Sequence, residues 1–497
     1  MIAPHNDPTS RQRILVLLQR LLGQWRQQAS NSGLNDDIIN GRGGTRTVFR
    51  LAWPSIFEMV MVTMVQYVDT AMVGRLGASS MAAVGLSMPM TWIINGCMMA
   101  VSVGATVLVA RHVGARQSSK ASAVARQAII MGAALGVVGT IFLLLAGNTI
   151  PTLLGAQPEF HQDAATYIRI FGCGLVPHFT AIILSGVFRG TGDTRTPMLS
   201  NIVINIVNIV GNFFLIFPTR DTTWFGVTLH IPGAGWGVAG AATATAFASL
   251  VSGTMLFVIL LRKRSNPAHI TLRQSYQPNG VIIRQILTVG IPTAMERLVI
   301  SVGQAFFIRL VATQGTTALA AHHLAVVAES LCYMPTWGFS IAATTLVGQC
   351  LGAKRPEFAR RHANNALRAG IITMTVAAIV LFAIPGTLMR FFTDDPDVLA
   401  IGVDLLRIIA FAQPATAFMI VLTGALRGAG DTKWPFYISI VGMWGVRIST
   451  CYVILHGFGW GVRGAWLSML VDLCLRGFLF YARWRSNRWM HAMKGNT

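Results

Sequence analysis

The sequence carries the segment LSGVFRGTGDTRTPM at Leu184–Met198 and a close copy of it, LTGALRGAGDTKWPF, at Leu422–Phe436. The copies lie 238 residues apart, and the same offset aligns Glu58 with Glu296. One constant offset over most of the chain is very unlikely to arise by chance. A third pair of copies, GWGVAGA and GWGVRGA, is offset by 224, so the first half has about 14 extra residues before its last helix. The chain is therefore predicted to consist of two related halves.

Hydrophobic residues make up 53% of the chain and charged residues only 11%, whereas soluble proteins carry about 25% charged residues. Apolar runs of roughly 20 residues, long enough to cross a bilayer, recur in both halves. In lipid the backbone must satisfy its own hydrogen bonds, so such runs are helices. We predict twelve spans, at 47–73, 80–110, 124–147, 163–188, 195–217, 235–261, 282–311, 318–348, 363–385, 398–426, 434–456 and 462–482.

The predicted fold is an all-α polytopic membrane protein with twelve transmembrane helices in two parallel-repeat six-helix lobes. Six helices return the chain to its starting side, so a two-fold axis along the membrane normal relates the lobes. The stretch Ile14–Leu22 predicts either a basic helix on the membrane surface or a frayed extension. The predicted divisions are an N-terminal extension at 1–46, an N-lobe at 47–261, a linker at 262–281, a C-lobe at 282–483 and a tail at 484–497.

The formal net charge of +21 is explained either by nucleic-acid binding or by membrane topology. Of the 39 Lys and Arg residues, 29 lie in the termini and the even-numbered loops, and five lie in the other loops. Cytoplasmic loops of membrane proteins collect Lys and Arg. The asymmetry therefore predicts a multi-pass protein of a bacterial inner membrane with both termini in the cytoplasm. No nucleic-acid partner is expected.

The RGxGDT segments are interpreted as tight cytoplasmic turns, in which glycines permit the backbone conformation and Asp193 and Asp431 cap the next helix. A phosphate loop is not favoured, because no strand precedes the segment and no GK[ST] follows it. Cysteines are scattered without a CxxC motif or a Cys/His cluster, so we expect neither a zinc site nor a disulfide framework. Without a nucleophile–base set or a metal cluster, we expect no enzyme activity and no cofactor.

Acidic residues inside the first span are candidates for function, because a charge at membrane depth is costly. Glu58, Gln66 and Asp69 form a polar stripe, since the eleven residues from Glu58 to Asp69 make about three helical turns. At the 238-residue offset, Glu296 and Gln304 match the first two, but Phe307 stands in place of Asp69. The lobes are therefore predicted to be chemically unequal.

The fifth span carries four carboxamides on one helix face, at Asn201, Asn205, Asn208 and Asn212. They are predicted either to line a cavity and share hydrogen bonds with Asp69, or to hold helices together as Asn commonly does in membranes. In the C-terminal half, the adjacent Arg297 is expected to neutralise Glu296. In the last span, Asp472 and Arg476 lie one helical turn apart and are predicted to form a structural ion pair. Further polar candidates in the C-terminal spans are His322, His323, Glu329, Arg447, Asp472 and Arg476.

The segments PSIFEMVMVTMVQYVDTAMVGRLG, PTAMERLVISVGQAFF and ALAAHHLAVVAESL, together with the twin RGxGDT loops, resemble the multidrug and toxic-compound extrusion (MATE) family over residues 47–483. The resemblance implies twelve helices in two lobes and export of organic, often cationic, compounds in exchange for protons or sodium. It places the family's first-helix aspartate on Asp69 and the aspartate of its fifth helix on Asn212. A glutamate of the seventh helix in some members falls near Ile300, a turn beyond Glu296.

The leading hypothesis is an antiporter that exports organic, cationic or amphiphilic compounds by alternating access. The predicted cavity residues are Asp69, Glu58, Gln66, Asn205, Asn208, Asn212, Glu296 and Gln304. Protons are favoured over sodium because a proton needs only one carboxylate whose pKa responds to its surroundings. The alternative is a flippase for lipids or lipid-linked precursors, for which Arg447 is the strongest basic candidate. The expected partners are a small organic substrate and the lipid bilayer, and a monomer is expected.

The distribution of basic residues makes a topological prediction. Cysteines introduced at Gly192 and Gly430 should react with an impermeant thiol reagent only in inside-out vesicles, because both loops are predicted to be cytoplasmic. Labelling at either position in intact cells would overturn the predicted orientation.

Overall fold

A computed structural model describes residues 37–39, 44–224 and 227–492. Over these residues the twelve predicted spans are all present: nine are single apolar helices, two are bent helix pairs, and span 8 is a helix of 37 residues. The predicted surface helix at Ile14–Leu22 lies outside the described residues. In chain order, spans 1 to 12 are Gly44–Gly74, Ala78–Gly114, Ser118–Ala146, Pro158–Cys173 with Leu175–Gly190, Arg195–Leu215, Gly237–Arg262, Gly280–Ala312, Thr316–Gly352, Pro356–Ala383, Pro396–Ala410 with Gln413–Gly428, Lys433–Phe458 and Gly461–Arg485.

Spans 4 and 10, predicted as continuous helices, are each broken near the middle, with bends of 54° and 58°. Gly174 lies at the first break, and Ala412, its counterpart at the 238-residue offset, lies at the second. The bend is therefore a feature of the repeated fold. Short helices at Thr149–Leu153 and Pro385–Arg390 precede these two spans.

The extra residues of the first half form an antiparallel hairpin between spans 5 and 6. Strand β1 covers Pro218–Trp224 and pairs with strand β2 at Val227–Ala234. Spans 11 and 12 have no such insertion, which accounts for the shorter offset of the last repeat. The hairpin is a small departure from the predicted all-α fold.

The RGxGDT segments form the tight turns that the sequence predicts. Gly192 and Gly430 have φ of 86° and 78°, a left-handed conformation that favours glycine. Asp193 caps span 5 by accepting hydrogen bonds from the Thr196 backbone N (3.1 Å) and Oγ1 (2.7 Å). The Asp431 carboxylate instead accepts from Arg483 at 2.8 Å. Burial raises the pKa of Asp431, and the hydrogen bond and charge of Arg483 oppose that rise.

The two halves contact each other beside these loops. Gln349 Nε2 on span 8 donates to the carbonyl of Gly190 (3.0 Å), and Arg111 on span 2 donates to the carbonyl of Ala429 (3.3 Å). A Cβ on Gly114 would lie 1.9 Å from the Gln349 carbonyl oxygen, so spans 2 and 8 touch through backbone. Because Arg111 and Gln349 are repeat counterparts, the interface follows the pseudo-two-fold axis.

Candidate functional site

A chain of hydrogen bonds joins spans 1, 5 and 6 in the N-terminal half. Asn212 Nδ2 donates to Asp69 Oδ1 at 2.7 Å and to Asn208 Oδ1 at 3.2 Å. Asn208 Nδ2 in turn donates to Thr245 Oγ1 at 3.2 Å. The structure therefore brings Asp69 together with two of the four carboxamides on span 5.

Several polar atoms on this face of span 5 are buried without a partner in the described part of the chain. They are Asn201 Oδ1, Asn205 Nδ2 and Asn212 Oδ1. Asn212 is almost completely buried, at 1% exposure. An unpartnered buried polar atom is costly, so this face has unused capacity to bond a ligand or a rearranged network.

Sequence reasoning missed two residues of this site. Thr245 lies in the small-residue run GAATATAFAS of span 6, where nothing marks it among its neighbours. Tyr167, in the first half of span 4, is close enough for an electrostatic interaction with Asp69 and stacks on Phe171 with ring centroids 6.5 Å apart. The available signal for Tyr167 was a hydroxyl group on a side chain inside a predicted span.

Glu58 lies apart from Asp69 and is bound by arginine. Arg189, at the end of span 4, contacts Glu58 Oε1 at 2.5 Å. In the other half, Arg427 contacts Glu296 Oε2 at 2.8 Å, and the two pairs are repeat counterparts. The partner of Glu296 is thus Arg427, from another span, and not the adjacent Arg297.

Gln66 and Gln304, predicted as members of the same cavity, lie in different surroundings. Gln66 is exposed, and its backbone oxygen accepts a hydrogen bond from Thr70 Oγ1 at 2.8 Å. Gln304 Oε1 accepts from Arg447 at 3.4 Å. The polar stripe of span 1 is therefore not one compact site, since Glu58 is bonded to span 4 and Asp69 to span 5.

The C-terminal half has a buried cationic cluster where the N-terminal half has Asp69. Asp472 accepts from Arg447 at 2.7 Å and from Arg476, so the ion pair predicted in span 12 has a second arginine. The Arg447 guanidinium lies 5.7 Å from the ring centroid of Phe307, the counterpart of Asp69. Arg447 belongs to a π-helical stretch, Val441–Ile448, of the kind often found at functional sites.

Glu329 on span 8 is the second carboxylate inside the spans whose hydrogen bond comes from a carboxamide. Gln413 Nε2, beside the break in span 10, donates to Glu329 Oε1 at 3.1 Å. Both residues are buried, and Gln413 Oε1 has no partner among the described residues. The sequence marked Glu329 as polar in a span but gave no sign that it meets the bend.

The carboxylates of these sites fall into two classes. Glu58, Glu296 and Asp472 each have an arginine within 4.0 Å, whereas in the described part of the chain Asp69 and Glu329 have none. No group of three His, Cys, Asp or Glu side chains in that part could hold a metal ion. The arginine-bound carboxylates have their charge balanced locally, so Asp69 and Glu329 are the candidates for binding a mobile cation.

Comparison with known proteins matches both halves to one family. The MatE family model matches residues 54–214 and 292–453, two segments that begin 238 residues apart. The chain is 30% identical over 449 residues to a probable multidrug resistance protein NorM of Thermotoga maritima, covering 89% of this chain and 93% of that protein. It is 26% identical to an uncharacterized transporter, YisQ, of Bacillus subtilis, covering 90% and 95% of the two chains.

Solved structures share the fold. One is a MATE protein in a straight conformation, with a TM-score of 0.83, 24% identity, and coverage of 92% of this chain and 98% of that one. Another is a MOP superfamily transporter of Pyrococcus furiosus, with a TM-score of 0.82, 24% identity and the same coverage.

The arginine pairs make a prediction about stability. Arg189→Ala should leave the buried Glu58 charge unpaired and cost about 3–5 kcal/mol, which lowers the midpoint of thermal unfolding of the purified protein. Adding Glu58→Gln should recover part of the loss, because no buried charge then remains. If Arg189→Ala alone unfolded at the same temperature as the wild type, this ion pair would not stabilise the fold.

Proposed function

The chain belongs to the MatE family of multidrug and toxic-compound extrusion transporters, and from this premise we propose that it exports organic cationic or amphiphilic compounds in exchange for protons. It is a multi-pass membrane transporter and not an enzyme. Its energy source in this proposal is the proton gradient, with no bound cofactor. The proposed working unit is a monomer of an N-lobe, spans 1–6, and a C-lobe, spans 7–12.

The observation that carries the proposal is that the Asp69 carboxylate lies inside a span without a basic partner among the described residues. The carboxylate lies at membrane depth, has no arginine or lysine within 4.0 Å in the described part, and is held by the amide of Asn212. Such a carboxylate attracts either a proton or the positive charge of a substrate, but not both at once. Proton binding therefore releases a cationic substrate, and substrate binding displaces the proton.

The orientation of Asn212 supports protons over sodium. Its Nδ2 lies between two acceptor oxygens, Asp69 Oδ1 and Asn208 Oδ1, so it must donate to both. The oxygen that sodium would need is thereby turned away from Asp69. A proton needs only the Asp69 carboxylate itself, whereas sodium needs several oxygen ligands at once.

The contacts between the halves support alternating access. The bonds of Gln349 and Arg111 hold the halves together beside the RGxGDT loops. If those loops are cytoplasmic, as the basic residues predict, this conformation is closed to the cytoplasm. Asp69 is then reached from the opposite side of the membrane. These bonds must break when the cavity opens inward.

The flippase alternative is not favoured. It would need a basic residue free to bind an anionic headgroup in the cavity, and Arg447 was the candidate. Arg447 is buried and hydrogen-bonded to Asp472 and Gln304, so its side chain is not free to bind a headgroup.

Asp69→Asn tests this proposal. It should abolish substrate flux driven by a pH gradient in proteoliposomes, while the purified protein keeps the thermal stability of the wild type. Glu329→Gln is the matched control, because Glu329 is the other carboxylate held by a carboxamide, in the opposite lobe. It should retain the coupled flux. Loss of coupling in Glu329→Gln with normal flux in Asp69→Asn would assign coupling to the C-lobe instead.

A further inference from the structure

An open groove runs along the first half of span 7 and is bounded on one side by the start of span 11. Ile283, Leu287 and Ile291 give it an apolar lining, and Pro292 lies at its inner end. Arg284 and Lys433 are its basic residues. Both lie at the end of the molecule that carries the RGxGDT loops.

The two basic residues of the groove have no acidic partner. Arg284 and Lys433 are exposed, and in the described part neither has a carboxylate within 4.0 Å. By contrast, two other basic residues at this end have acidic partners, Lys263 with Asp193 (2.7 Å) and Arg483 with Asp431 (2.8 Å). The groove therefore presents positive charge that the protein itself does not neutralise.

The groove has the length of one lipid chain. From Gly280 to Pro292 the helix rises about 18 Å, at 1.5 Å per residue. One leaflet contributes about 15 Å, half of the hydrocarbon thickness of a bilayer. An acyl chain lying along Leu287 and Ile291 thus has its headgroup end beside Arg284 and Lys433.

Aromatic residues place this end of the groove at the membrane surface. Trp434 and Tyr437, next to Lys433 on span 11, are 43% and 52% exposed. Trp and Tyr are enriched at the level of lipid headgroups. Arg483, whose guanidinium lies 4.6 Å from the Trp434 ring, holds that side chain in place.

We propose that this groove binds one anionic phospholipid of the adjacent leaflet, with its phosphate on Arg284 and Lys433 and an acyl chain along Ile283, Leu287 and Ile291. Basic pockets between helices at a membrane surface bind anionic headgroups. The apolar lining extends away from the charges into the hydrocarbon, which selects a lipid over a free anion. The site is separate from Asp69 and does not depend on the transported substrate.

The internal repeat supplies a matched control. At the 238-residue offset, Arg46 and Arg195 carry the same charges in the N-terminal half. The apolar lining differs, because Phe49 and Trp53 stand where span 7 has Leu287 and Ile291. Phe49 packs edge-on against Phe339 with ring centroids 5.5 Å apart. The two surfaces have equal charge but different linings. Comparing their lipid binding therefore distinguishes a specific site from general attraction to anionic lipid.

The test is native mass spectrometry of the purified full-length protein titrated with phosphatidylglycerol or phosphatidylcholine. The wild type should retain one phosphatidylglycerol and no phosphatidylcholine. Arg284→Gln with Lys433→Gln should weaken phosphatidylglycerol binding about tenfold or more, as expected for removing two basic residues. Arg46→Gln with Arg195→Gln should bind like the wild type.

A second variant keeps the charges and fills the groove. Leu287→Phe with Ile291→Trp, which copies the N-terminal half, should also lose phosphatidylglycerol. If the two charge-removing double variants lost phosphatidylglycerol binding equally, general electrostatic attraction would explain the binding and the proposal would be overturned. Equal retention of phosphatidylcholine, displacement by inorganic phosphate, or unchanged binding in the filled variant would each overturn it as well.

Discussion

The structure depends on one constraint: a charge placed inside a lipid-embedded helix must find a partner within the protein. The chain meets it twice in the same way, by Arg189 on Glu58 and by Arg427 on Glu296. Each pair ties the long first helix of a half to the end of its fourth span, next to the RGxGDT turn. The turns and the contact between the halves lie beside these two anchors.

The proposed coupling site lies where the repeat departs from this rule. Asp69 has no arginine in the described part of the chain and no acidic counterpart, since Phe307 stands at the equivalent position beneath Arg447. The N-lobe therefore has a carboxylate open to exchange, and the C-lobe has a cation that is already bound. In the proposed mechanism the N-lobe carries the coupling proton. The C-lobe forms the other side of the cavity and moves relative to the N-lobe.

Much of this architecture could be predicted from the sequence, because hydrophobic runs and a constant offset are local or periodic signals. The spans, the two halves and the turns at Gly192 and Gly430 are of this kind. The helical period also placed Asn208 and Asn212 on one face, and the structure brings that face to Asp69. The cavity role of the predicted residues stays a prediction.

The rest depends on contacts that sequence patterns do not contain. Arg189 lies 131 residues from Glu58 and one residue beyond the predicted end of span 4. The expected partner of Glu296 was Arg297, but adjacent residues on a helix point in different directions, and Arg427 binds it instead. Pro414, next to Gln413, marks a helix start that the prediction of a continuous span 10 passed over. The contact of Gln413 with Glu329 joins two distant spans, so no local pattern predicts it.

The central claim is that a proton on one carboxylate drives export. The most direct test is substrate flux by the wild-type protein in proteoliposomes with an imposed pH gradient and no sodium. The account predicts that flux follows the pH gradient and stops when the gradient is collapsed. Flux that requires a sodium gradient and ignores the pH gradient would contradict it.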